Sequence, residues 1–202
     1  MNLASSDSFL PVYLEMYAAR LGVRRDGFLS MFSLLEAARP QGDFRIVETG
    51  SMRVPDNWEG DGQSTVLFDQ FVTFHGGEVL TVDMSPECGD LIAQACSEQV
   101  RFTCDDSVRY LHKLRTTGDQ RIDLLYLDSF DLDINQPTPS AFHHVKELLA
   151  IWPALAPGAV IVVDDNPPGM IGKGYLVENF FDHVGIPKVF DEIGRASCRE
   201  RV

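Results

Sequence analysis

The sequence predicts an α/β fold, a mainly parallel sheet with helices on both faces, and three observations carry that prediction. Four β-branched, apolar runs end on acidic or small polar residues: 44–51, 78–83, 122–128 and 159–166. Stretches of helical period alternate with these runs through short connections, the pattern of parallel strands covered by helices. The 202 residues, 45% of them hydrophobic, suffice for one well-buried core and are too few for two.

Between Asp7 and Arg39 the apolar residues Phe9, Leu10, Val12, Tyr13, Met16, Leu21, Phe28, Leu29, Phe32 and Leu35 recur at three- and four-residue steps. That spacing predicts two amphipathic helices broken near Gly22 to Gly27, an N-terminal helical extension over 1–40 that Pro40-Gln41-Gly42 ends. A domain over 41–191 follows. Its elements are a strand at 44–50, a helix at about 63–75, a strand at 78–83, a helix at about 87–97, a strand at 100–104 and a helix at about 107–116. A strand at 122–128, a helix at about 139–152, a strand at 159–164, a helix at about 174–184 and a short strand at 187–190 complete it. Residues 192–202 have neither period, introduce three arginines, and resemble the conceptual translation of a sequencing-library adapter. The expectation is therefore a natural sequence ending near Asp191, a C-terminal strand missing from the sheet, and a non-native tail without regular packing.

A formal net charge of −13 argues against a surface that holds phosphate backbones, so nucleic acid is not an expected partner. No apolar segment approaches membrane-spanning length, and no basic stretch precedes an apolar run at the N-terminus; neither a membrane nor export is expected. Cys88, Cys96, Cys104 and Cys198 show no paired C-x-x-C spacing, which suits a reducing cytoplasm.

In open α/β sheets ligands bind outside the carboxyl ends of the strands. The first strand runs into Glu48-Thr49-Gly50-Ser51, and after an irregular stretch containing Pro55, Trp58, Gly60 and Gly62, Ser64 and Thr65 open a helix. Glycines let backbone approach a ligand, and hydroxyls at a helix start meet orphan amides or an anion. The third glycine of a G-x-G-x-x-G fingerprint is absent. Asp83, ending the second strand, is placed to accept a ribose hydroxyl, or else to form a turn before Ser85-Pro86. Asp105-Asp106-Ser107 can meet an adenine edge, and Asp106 or Ser107 can equally cap the next helix. Asp128 from one strand end and Asp164 with Asp165 from another would repel one another unless a cation or a proton intervenes.

This order of elements resembles the class I S-adenosylmethionine-dependent methyltransferases, over roughly Asp43 to Asp191. The resemblance implies a Rossmann-like sheet. It makes Glu48, Gly50, Ser51, Gly62 and Ser64 the cofactor's first loop, Asp83 its ribose acid, and Asp106 and Ser107 its adenine-side turn. Leu127-Asp128-Ser129-Phe130 and Val163-Asp164-Asp165-Asn166 look like the paired metal motifs of catechol O-methyltransferase-like and macrocin O-methyltransferase-like enzymes. That implies a divalent cation, Mg²⁺ by preference, on Asp128, Asp164 and Asp165; a one-residue shift would use Asp165 with Asn166. Catechol-type enzymes carry a lysine three positions after the first metal acid, where this chain has Asp131. Asp131 and His143, the latter on the helix after Thr138-Pro139-Ser140, are the candidate catalytic residues.

The reading is metal-assisted O-methylation of a small-molecule acceptor, with S-adenosylmethionine as methyl donor, in a cytoplasmic protein that can form a homodimer. The alternatives are a nucleotide-dependent oxidoreductase using the same crevice and a non-catalytic Rossmann-like binding module.

Overall fold

A computed structural model describes residues 7–60, 63–117, 121–167, 169–186, 188–191 and 196–200, by backbone alone for 189–191 and 196–200. The N-terminal segment forms α1 (Leu10–Met16), 3-10 turns at Ala18–Arg20 and Gly22–Arg24, and α2 (Arg25–Ala38). The break between the helices falls where Gly22 takes φ +53°, a left-handed conformation that disfavours side-chain-bearing residues.

The alternation then proceeds as β1 (Phe44–Thr49), α3 (Ser64–His75), β2 (Gly77–Asp83), α4 (Glu87–Ala95), β3 (Val100–Cys104), α5 (Ser107–Thr116) and β4 (Ile122–Leu127). It continues through α6 (Thr138–Ile151), β5 (Leu155–Asp164), α7 (Tyr175–Val184), β6 (Lys188–Asp191) and β7 (Ala196–Glu200). The sheet order is β3-β2-β1-β4-β5-β7-β6. Strands β1 to β5 are parallel, and β7 runs antiparallel to both β5 and β6. This is the Rossmann-like sheet expected, preceded by the expected helices.

Strand period sorts the side chains into two cores. On one face Ile46, Leu124, Tyr126, Val160 and Val162 pack with Phe9, Tyr13, Phe28 and Phe32 of the N-terminal segment and Phe68 and Phe71 of α3. On the other, Val47, Leu125, Leu127, Ile161 and Val163 pack with Leu111, Leu148, Ile151, Val177 and Phe181 from α5, α6 and α7. The first core is an aromatic cluster: Phe32 stacks on Phe71 at 4.9 Å, and Phe28 on Tyr126 at 6.0 Å. The N-terminal helices thus share one core with the sheet.

The expectation of a missing last strand and an unpaired tail is corrected. The backbone of Ala196–Glu200 pairs with Val160–Asp164 on one side and with residues of β6 on the other, filling the slot expected to be empty. A strand ladder is made by main-chain N–H and C=O groups, so a segment without hydrophobic period can still be drawn into an open edge. Among the described residues no helix is long and apolar enough to cross a membrane.

Candidate active site

The strand order reverses between β1 and β4, and the crevice at such a switch point lies at the carboxyl ends of those strands. There Gly50 takes φ +82°, and a Cβ on it would lie 2.5 Å from the carbonyl oxygen of Asp128. Only glycine fits, and its absence of a side chain lets the two loops meet.

Glu48, just inside, is fully buried, and its carboxylate accepts hydrogen bonds from Ser64 Oγ, Thr65 Oγ1 and Thr81 Oγ1, each at 2.7 Å. Burial pushes its pKa up to about 7, against the pull of the three hydroxyls. With no exposed surface, Glu48 ties β1, α3 and β2 together directly beneath the loop expected to meet the cofactor. The hydroxyl of Ser64 is spent on the same acid, although the residue borders the cleft. Gly62 lies outside the described residues.

Asp83 is half-buried, and each of its oxygens accepts one main-chain N–H: Oδ2 from Ser51 at 3.1 Å and Oδ1 from Ser85 at 2.8 Å. A carboxylate oxygen has lone pairs to spare after one such bond, so both the turn and a ribose contact are served at once. Ser51 also shares a 2.7 Å bond between its Oγ and Thr81 Oγ1. Gly50, Ser51, Asp83, Asp128, Ser129 and Lys173 are among the residues around a cavity of about 100 Å³. Across it Arg53 meets both oxygens of Asp131, at 3.1 and 3.3 Å. That pairing holds Asp131 below the usual carboxylate range, the reverse of what a general base needs.

At the end of β3, Asp106 accepts the Arg109 N–H at 2.8 Å and caps α5. Ser107 Oγ bonds instead to His143 Nε2 at 3.0 Å. His143 also lies 3.3 Å from Glu147 Oε1, which accepts from Ser129 Oγ at 2.6 Å. His143 therefore reaches the cleft only through Glu147 and Ser129, and does not line it. The neighbouring His144 is fully buried; desolvation lowers it to about 4, and its Nε2 has no hydrogen-bond partner among the described residues.

The acids at the ends of β4 and β5 are placed together, but they arrive with cations of their own. Asp164 is buried against Arg24 Nη2, and its Oδ2 also accepts from Tyr126 OH at 2.7 Å, while its Oδ1 takes the Asp165 N–H at 2.8 Å. Lys173 Nζ bridges Asp128 Oδ1 at 2.5 Å and Asp165 Oδ2 at 3.0 Å. Burial opposes the Lys173 charge, but Asp128 and Asp165 outweigh it and hold the ammonium above the usual lysine range. Asn166 turns away: its Nδ2 donates to Val163 O at 2.7 Å and its Oδ1 accepts from Gly174 N at 2.7 Å. The expectation of three carboxylates open to a metal is corrected accordingly. Among the described residues no group of three His, Cys, Asp or Glu is disposed to hold one.

Sequence reasoning did not find Arg24 or Lys173. The one signal for the lysine is its setting, Gly172-Lys173-Gly174, shortly after the acids in a chain poor in base.

A Rossmann-like sheet with a cavity at its strand ends and an oriented acid at the end of β2 is consistent with the class I, S-adenosylmethionine-dependent methyltransferases. Residues 59–166 match the family described as "Methyltransferase domain", and the chain belongs to that family. No curated protein matches it. Among solved structures it is similar to CalS11, described as a TDP-rhamnose 3'-O-methyltransferase of calicheamicin biosynthesis, with a TM-score of 0.60 at 16% identity over 94% of this chain and 83% of that one. The O-methyltransferase NovP gives 0.55 at 17%, over 96% of this chain and 98% of that one. MycE, in complex with Mg, SAH and mycinamycin VI, gives 0.58 at 16%, over 90% of this chain and 54% of that one. At these identities the likeness is one of fold.

Proposed function

We propose that the protein binds S-adenosylmethionine at the ends of β1, β2 and β3 and transfers its methyl group to a hydroxyl oxygen of a small-molecule acceptor. The observation that carries this reading is Asp83. Two main-chain N–H groups fix its carboxylate in the lining of the cleft, which Gly50 also borders and where a ribose diol would be held. The family match supports methyl transfer, and the solved structures of similar fold are described as O-methyltransferases, which favours oxygen as the acceptor atom.

In such a transfer the acceptor oxygen forms a bond to the methyl carbon as the carbon–sulfur bond breaks. The bonding electrons would return to sulfur, giving S-adenosylhomocysteine, and the hydroxyl proton would pass to solvent water. Catalysis here consists of in-line positioning, since the sulfonium supplies the reactivity. The strand-end acids, committed to Arg24 and Lys173, do not fit a divalent ion, and no step is routed through one. Cys88, Cys96 and Cys104 are free thiols, which accords with a reducing, cytoplasmic setting.

Isothermal titration with S-adenosylhomocysteine, with NAD and with buffer alone tests the reading. Stoichiometric binding of S-adenosylhomocysteine and none of NAD is expected. Binding of NAD in its place would favour the oxidoreductase, and binding of neither would favour a non-catalytic module.

A further inference from the structure

Lysine is almost never fully buried unless it is paired. Lys173 is 1% exposed, one of the largest buried side chains in the protein. Its ammonium donates to Asp128 and pairs with Asp165.

The turn around it is built to bring it inward. Lys173 N donates to Asp165 O at 3.2 Å, and Gly174 N to Asn166 Oδ1 at 2.7 Å. A Cβ on Gly172 would lie 2.6 Å from Asn166 Oδ1, and one on Gly174 2.7 Å from the same atom, so both flanking positions must be bare for Asn166 to clamp the turn. Asn166, the residue that could have been a metal ligand, is thereby used to aim a lysine. Asp128, Asp164 and Asp165 bring three negative charges, which Lys173 and Arg24 answer with two positive ones.

We propose that Lys173 is the resident cation of this acid cluster, so that the cleft keeps Asp128 and Asp165 together without a divalent ion. A divalent ion that used both acids would have to displace a buried ammonium, and that would leave the ammonium unpaired. Removing the ammonium reverses the situation: the acids are left uncompensated, and a hard cation with oxygen preference becomes their natural partner.

The test reads metal binding and is independent of whether the protein methylates anything. Mn²⁺ is titrated against the full chain and followed by the electron paramagnetic resonance signal of the free ion, for the native protein, Lys173→Ala and Lys173→Ala/Asp128→Asn. The native protein should leave Mn²⁺ free, Lys173→Ala should bind one ion at least about tenfold more tightly, and the second substitution should reverse most of that gain. Melting with and without about 5 mM Mn²⁺ is a second measurement, since an ion that binds only the folded state raises its stability. Mn²⁺ should raise the melting temperature of Lys173→Ala, or restore folding if that variant is unfolded alone, and leave the native protein unmoved. Stoichiometric, micromolar Mn²⁺ binding by the native protein would overturn the proposal. So would a Lys173→Ala variant that Mn²⁺ neither binds nor stabilises.

Discussion

Glu48 holds a carboxylate where burial favours its neutral form, with a pKa raised to about 7 from 4.5. The folded chain therefore binds this proton more tightly than the unfolded one. Stability from this group is fully present below about pH 4.5 and is lost as the pH rises through about 7, a swing on the order of 3 kcal/mol. His144 acts in the opposite sense: lowered to about 4 from 6.5, it costs stability as the pH falls through that interval. The native melting curve sums the two, but a variant separates them. The melting temperature of Glu48→Gln minus that of the native protein should climb between pH 5 and pH 8, and a flat difference would show that Glu48 does not titrate there. At the neighbouring strand end, Asp83→Ala should weaken S-adenosylhomocysteine binding by roughly 10- to 150-fold, the equivalent of about 1.5–3 kcal/mol for a bond to a charged acceptor. Calorimetry reads it, and unchanged affinity would take Asp83 out of the site. Because Asp83 also anchors Ser51 and Ser85, some loss of melting temperature should accompany the effect. Asp83 and Gly50 were legible in the sequence because a strand end and a tight turn are local features. Arg24 and Lys173 were not, since Asp164 stands 140 positions from Arg24 and Asp128 stands 45 from Lys173, and no periodicity reports such a meeting.

The N-terminal segment is more than a cover for apolar surface, because it brings Arg24 against both Tyr126 and Asp164, which also bond to each other. Removing one member of a buried pair strands the other, so Arg24→Met should destabilise the protein by about 3–5 kcal/mol, and adding Asp164→Asn should recover much of that loss. Urea unfolding of the two singles and the double checks it; additive losses would mean the pair is not coupled. Elements with a clear period were read nearly to the residue. The helix expected at 107–116 is Ser107–Thr116, and the strand expected at 100–104 is Val100–Cys104. The strand expected at 159–164 begins earlier, at Leu155, because Ile122 finds a partner there beyond an irregularity in the ladder. That pairing is a tertiary event and leaves no mark on the pattern of residues. The pairing of residues 196–200 was not legible for a related reason. Side-chain pattern reports which face of a strand is buried, whereas admission to the sheet is decided by main-chain groups.

On the scale of the whole molecule, β7 is the joint of the C-terminal half: β6 pairs with it, and so does the outer edge of β5. A chain ending at Asp191 would leave both strands with an unpaired side, and open edges recruit other chains. Analytical ultracentrifugation should find such a truncated protein in larger species at concentrations where the full chain is uniform, and identical sedimentation would show that β5 tolerates an open edge. The two cores lie on opposite faces of the same strands. Loss at the edge should therefore lower the melting temperature of the whole in one transition.

The bond between Arg24 and Asp164 also sets an order in time. The two residues are separated by 140 positions, so a ribosome adding about 5–20 residues per second makes the guanidinium roughly 7–28 s before the acid it will join. Through that interval Phe9, Tyr13, Phe28 and Phe32 lack the β5 residues Val160 and Val162 that complete their core. Helices made well before β5 are thus among the last to be locked in place, and their aromatic face is what a nascent-chain chaperone would meet.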